Sequence, residues 1–212
     1  MTVTKKNAGG ILAAVFMFLA ASGAVTLYLP EKISPGAYRA SLQALESYRR
    51  AYPQEDVRML AVVDYSKPSY LKRMALINMN TGEQTFYRVA HGKRSGTMYA
   101  RHFSDIPESN MSSLGLYKVL SMYHGDHGTA LRLEGLEPGR NGNAYRRDIV
   151  LHSAEYVSLH YIFLNLVTLE GPRIGRSNGC FVVPAGEIEE VAQRLGRGGF
   201  IYAWAEEEIE MD

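Results

Sequence analysis

Short apolar runs punctuated by turn residues fill the chain from residue 57 onward. VRMLAVVDYS, RMALINM and TFYRVAHG are rich in β-branched and aromatic residues, and Asn80-Thr81-Gly82-Glu83 between the last two has the composition of a hairpin turn. LGLYKVLSMY, ALRLEGL, RDIVLHSA, CFVVP and FIYAWAE continue the series. Helical spacing is confined to AYRASLQALESYRRAY, where Leu42, Leu45 and Tyr48 share a face, and to AGEIEEVAQRLG, which opens near Pro184 and stops at Gly196. The pattern predicts a mainly β fold, a β-sandwich or folded sheet with one or two short helices. Two long stretches interrupt it, one over residues 95–115 and one over 155–176, both of a length usually kept for function.

The first thirty residues read differently. Lys5 and Lys6 precede an uncharged stretch from Asn7 to Pro30 with the apolar centre ILAAVFMFLAASGAV, followed by Ser22, Gly23 and Ala24. This is the form of an export signal, either cleaved or kept as an inner-membrane anchor helix. The expected organisation is therefore a signal peptide or anchor over 1–30, a helical lead-in over 31–56, a catalytic domain over 57–206 and an acidic tail over 207–212. The expected location is the periplasm or cell envelope, with membrane association through the N-terminal segment.

Composition narrows the chemistry. A net charge of +1, from 23 Lys+Arg against 22 Asp+Glu, gives no electrostatic footprint for nucleic acid. The single cysteine, Cys180, excludes an internal disulfide. A lone thiol in an exported protein is either buried filler or a reactive group.

Ser177-Asn178-Gly179-Cys180 stands where a loop enters a strand, a place where a sulfur can be held at a cleft with adjacent amides aimed at a developing oxyanion. A thiol nucleophile needs a base. All six histidines (His91, His102, His124, His127, His152 and His160) precede Cys180, an order that excludes papain-like hydrolases, in which the cysteine comes first. His152, ending the apolar strand DIVLHS, is the best-placed partner; the alternative is a satisfied core histidine. His124-x-x-His127 with Asp126 also suggests a zinc peptidase site, although no helix carries it.

These residues resemble the murein L,D-transpeptidase catalytic domain family, in a branch with a bulkier domain. The resemblance rests on LHS ending a strand, a downstream Ser-x-Gly-Cys, and DYSKPSYLKRMALINMNTGE, VAHGKRSG, SSLGLYKV, HGDHGTALRLEGLE and GRSNGC in this order, over roughly residues 57–204. It implies that Cys180 attacks the amide before the terminal D-alanine of a tetrapeptide stem, with His152 as base. The thioester then passes to a second stem, giving a 3→3 crosslink, or to water, giving an L,D-carboxypeptidase. The amides of Gly179 and Cys180 would form the oxyanion hole, with Ser177 and Ser153 supporting the loops. Stem peptides are the implied partner, and no metal or cofactor is implied. Val182 stands where family members often have Arg or Asn, so Arg176, Arg173 and Arg132 are candidates for orienting a substrate carboxylate. Asn178, His91 and His127 are further candidate substrate contacts. The His152-to-Cys180 interval is longer than the family's usual one, and the excess falls in the apolar run YIFLNLVTLE.

Overall fold

Eight strands hydrogen-bond into one mixed sheet in the computed structural model, which describes residues 31–125, 128–196 and 198–206. In chain order the strands are β1 (Met59–Asp64), β2 (Met74–Asn78), β3 (Gln84–Tyr87), β4 (Gly115–Gly125), β5 (Gly128–Gly135), β6 (Val150–Ser153), β7 (Phe181–Val183) and β8 (Gly199–Trp204). Their order across the sheet is β3-β2-β1-β8-β4-β5-β6-β7. Each apolar run of the sequence overlaps one of them. The hairpin turn after β2 also forms: Asn78 Oδ1 accepts the amides of Asn80 at 2.9 Å and Thr81 at 3.2 Å, and Gly82 takes a positive φ of 75°.

The sheet is folded on itself rather than split into two stacked sheets. Ala90, just beyond the edge strand β3, bridges Val182 of the opposite edge strand β7, and the Ala90 N–H donates to the Val182 carbonyl at 2.8 Å. This seam partly closes the sheet into a barrel. Inside it lies the main core, where Leu76, Tyr117, Leu131, Leu151, Phe181 and Ile201 meet the apolar face of helix α3 (Ile188–Leu195) through Ile188, Val191, Ala192 and Leu195.

Helix α1 (Pro35–Ala51) begins where the lead-in is expected. Ser34 caps it through its side chain, Pro35 supplies a preset φ, and Arg49 and Arg50 sit in the last turn, where a cation complements the helix dipole. The helix buries Ala37 and Leu45 against Leu60, Val62, Phe200 and Tyr202 on the outer face of the sheet. Helix α2 (Leu159–Val167) was not legible as a helix. It lies within the 155–176 stretch and is apolar on nearly every side, so no polar stripe marks its period. Ser158 caps it by accepting the Tyr161 N–H at 3.2 Å. The expected signal or anchor over 1–30 and the acidic tail over 207–212 lie outside the described residues. Among the described residues no helix is long and apolar enough to cross a membrane.

A buried pair props up the seam from beneath. Arg73 is fully buried and donates to the Val89 carbonyl through Nε and Nη2, at 3.0 and 2.9 Å, and to the Lys67 carbonyl through Nη1 at 3.0 Å. Its Nη2 also meets His91 Nδ1 at 2.7 Å. A guanidinium only donates, so Nδ1 carries the lone pair and the proton sits on Nε2, which faces the Gly96 carbonyl at 3.3 Å. His91, a candidate substrate contact from the sequence, is instead fully buried with both ring nitrogens engaged. Burial, then the Arg73 charge, drives its pKa down to about 3 from the ordinary 6.5.

This pair has a pH signature. In the unfolded chain His91 takes up a proton near pH 6.5, but in the folded protein only near 3, so between these values the unfolded state binds the extra proton. His91's contribution is intact above pH 6.5 and is lost as pH falls toward 3, by up to about 1.4 kcal/mol per unit. His91→Gln is expected to flatten the acid limb of a stability-versus-pH curve measured by urea denaturation. Parallel acid limbs for parent and variant would contradict the assignment.

Candidate active site

His152 and Cys180 come together because β6 and β7 are parallel neighbours. Leu151 pairs with Phe181 and His152 with Val182, so one step back along the register sets Cys180 beside Val150. Side chains alternate across a strand. Leu151 and Phe181 therefore point into the barrel core, while Val150, His152, Cys180 and Val182 share the outer face. Strand spacing and rise put the Cα atoms of His152 and Cys180 roughly 8 Å apart, a diagonal that an imidazole and a thiol can span.

The histidine is oriented by its own strand. His152 Nδ1 lies 3.0 Å from the Ser153 carbonyl, and because a carbonyl only accepts, Nδ1 carries the proton and Nε2 the lone pair. That is the tautomer of a base. Ser153 thus supports the site through its main chain.

Cys180 is held as a neutral thiol. Its S–H donates to the Asp148 carbonyl at 3.6 Å. Burial pushes its pKa up, against the smaller opposing effects of the Val150 N–H and the Arg147 guanidinium, while the Asp148 charge adds to the rise. With Tyr156 and Ile162, Cys180 packs against the buried cluster of Ala90, Val157, Ile174 and Val182. A thiol held this way becomes nucleophilic only once a base removes its proton.

The loop before the sulfur is fixed by Ser177, whose Oγ accepts the Gly179 N–H at 3.1 Å and donates to the Cys180 carbonyl at 2.7 Å. The Ser177 N–H donates to the His91 carbonyl at 2.9 Å and its carbonyl accepts the Lys93 N–H at 2.7 Å, lacing the loop to the seam. The Gly179 amide, expected as an oxyanion donor, is committed to Ser177. Its φ of 126° is closed to other residues, and a Cβ there would lie 2.8 Å from the Met111 carbonyl oxygen. Gly179 is needed for its backbone.

The remaining candidates scatter. Arg176 spends Nη1 on the Lys93 and Gly96 carbonyls, at 3.1 and 3.0 Å, and Arg173 pairs with Glu170 at 2.7 Å. Asn178, His102 and His160 are exposed. His124 Nε2 meets Thr129 Oγ1 at 3.0 Å, and His127 and Asp126 lie outside the described residues. Among the described residues no three His, Cys, Asp or Glu side chains converge as metal ligands. Arg132 alone of the carboxylate candidates shares the outer face with Cys180: it pairs with Val150, which lies between them.

Two contributors were missed. Arg147, with a side chain only 3% exposed, gathers the 95–115 stretch by donating to the Ser104 and Met111 carbonyls at 2.8 and 2.6 Å and pairing with Asp105 at 3.6 Å. Nothing in RRDIVLHS distinguishes it from Arg146. Helix α2 packs Ile162 against the same buried cluster as Cys180 and leaves Leu159, Phe163, Leu164 and Val167 exposed.

Two outcomes follow from this geometry. Alkylation of Cys180 by iodoacetamide is expected to keep accelerating beyond pH ~8.5, where an ordinary thiol is half ionised; a midpoint near pH 6 would mean a preformed thiolate and contradict the neutral resting state. Gly179→Ala forces a Cβ against the Met111 carbonyl oxygen at a φ that alanine rarely adopts, and is expected to lower the melting temperature and to change the rate at which the displaced Cys180 is alkylated. Unchanged melting and alkylation would remove the loop's role.

Residues 30–204 match the family model for the L,D-transpeptidase catalytic domain. Among curated proteins nothing matches the chain significantly. Similar solved structures include an L,D-transpeptidase from Mycobacterium smegmatis, with 13% identity and a TM-score of 0.40 over 70% of this chain and 59% of that one. L,D-transpeptidase 3 from Mycobacterium tuberculosis has 13% identity and a TM-score of 0.40, over 69% and 61% respectively. The chain spans about three fifths of the length of these structures. With the family model covering most of its length, the chain belongs to the L,D-transpeptidase catalytic domain family.

Proposed function

We propose that the protein is a peptidoglycan L,D-transpeptidase that works through a Cys180 thioester. The observation that carries this reading is the placement of His152 and Cys180 on one face of adjacent parallel strands, with the His152 proton fixed on Nδ1 by the Ser153 carbonyl. In the reaction, Cys180 Sγ attacks the carbonyl carbon of the amide between the third, L-centred residue and the terminal D-alanine. His152 Nε2 takes the thiol proton. The tetrahedral oxyanion is stabilised by the Cys180 amide, since the Gly179 amide serves Ser177. The C–N bond then breaks, His152 returns the proton to the departing amine, and D-alanine leaves a thioester behind.

An acceptor amine completes the cycle. The side-chain amine of a second stem attacks the thioester carbonyl, loses its proton to His152 and expels the Cys180 sulfur, forming a 3→3 crosslink. Water in the same position gives a tripeptide. Helix α2 and the 154–176 stretch wall the thioester on one side, which favours an amine delivered by a bound stem over bulk water. The uncharged run Asn7–Pro30 after Lys5 and Lys6 supports work outside the cytoplasmic membrane, where this substrate lies.

The test is release of D-alanine from tetrapeptide muropeptides. The parent is expected to release it, Cys180→Ala to abolish it, and His152→Ala to lower the rate by about 10²–10⁴-fold. Full activity of the alanine variant at position 180 would refute the mechanism. Loss of the parent's activity on metal chelation would point instead to the zinc reading of His124 and His127.

A further inference from the structure

One row of side chains crosses the outer face of the sheet. Arg132 on β5 pairs with Val150 on β6, and Val150 lies beside Cys180, so arginine and nucleophile stand two strands apart in line, ~10 Å between backbones. Arg132 is held over two aromatic rings, which form its clamp: its guanidinium carbon lies 5.2 Å from the centre of the Tyr123 ring and 5.5 Å from that of Tyr145. A guanidinium held over ring faces can still offer N–H groups to a planar anion.

The anion it now meets is weakly held. Asp148 Oδ1 is 3.9 Å from Arg132 Nη1, and the Asp148 side chain is 85% exposed. An exposed pair at that distance contributes little. Three other arginines of the region are engaged elsewhere: Arg147 on the 95–115 stretch, Arg176 on Lys93 and Gly96, and Arg173 on Glu170 at 2.7 Å. Asp148 is also an unusual residue. Its φ is 51°, its N–H donates to the Tyr145 carbonyl at 3.2 Å, and its own carbonyl receives the Cys180 S–H. A single turn thus carries one wall of the clamp, the carboxylate at its mouth and the hydrogen-bond acceptor of the nucleophile.

We propose that Arg132, clamped by Tyr123 and Tyr145, receives a carboxylate of the donor stem peptide, and that the Asp148 carboxylate is an internal stand-in that the peptide displaces. The proposal rests on the stem-peptide reading above and deepens it by naming the specificity residue. Two carboxylates of a tetrapeptide stem lie a few bonds from the scissile amide: that of the terminal D-residue, and that on the side chain of the third residue when it is a diamino diacid. Both offer the same chemistry to the clamp.

Binding can be measured without turnover. Calorimetry on the full chain in the Cys180→Ala background, with a free-acid tetrapeptide, its C-terminal carboxamide and its third-residue side-chain carboxamide, separates the two sources. The parent clamp is expected to bind one carboxamide at least 10-fold more weakly than the free acid, which identifies the carboxylate. Arg132→Gln should weaken free-acid binding by a similar factor and erase that discrimination, and Arg132→Lys should restore it only in part. Asp148→Asn should tighten free-acid binding two- to threefold, an outcome a merely structural ion pair does not produce. Unchanged affinity and discrimination in Arg132→Gln, or weaker binding in Asp148→Asn, would overturn the proposal. D-alanine release by the parent is read separately, so a failed chemistry and a failed clamp give different results.

Discussion

The site depends on the seam at which the two edges of the sheet meet. Ala90 bridges Val182, Gly92 bridges Ser177, and the Ser177 main chain is bonded on both sides to His91 and Lys93. Without that lacing, the Cys180 loop would be an unsupported entry to a three-residue edge strand. The Arg73–His91 pair braces the seam from within, and the fully buried guanidinium is tolerated because two carbonyls and an imidazole accept its N–H hydrogen bonds.

From that seam outward the chemistry follows from strand geometry. Parallel pairing of β6 and β7 puts His152 and Cys180 on one face, and alternation turns Leu151 and Phe181 into the core that keeps both strands rigid. The resting thiol is neutral because burial outweighs the Arg147 charge and the Val150 amide. A neutral thiol bonded to a carbonyl resists adventitious oxidation better than a thiolate.

Much of this was legible in the sequence, and the limits are physical. Eight strands and two helices were marked by alternation, turn residues and caps, and His152 and Cys180 by residue type and order. Helix α2 was hidden because a helix apolar all round has no contrasting face to reveal its period. His91 and Arg176 misled because a polar side chain looks the same in sequence whether it faces substrate or ties one loop to another. Only the burial of His91 and the carbonyls around Arg176 decide that. Arg147 and the role of Asp148 gave no sequence signal, since one acts through buried contacts gathered from residues 104–113 and the other through its backbone carbonyl. Arg132 became distinct from the other arginines only when strand register aligned it with Cys180.

The central claim is that Cys180 carries the acyl group. Intact-protein mass spectrometry of the enzyme, mixed with tetrapeptide stem and quenched in acid within the first turnover, tests it most directly. The account predicts a mass increase equal to the stem acyl fragment lost from D-alanine, located on the peptide containing Cys180 and removed by hydroxylamine as a thioester is. D-alanine release with no adduct on that peptide at any quench time, and undiminished by prior alkylation of Cys180, would contradict it.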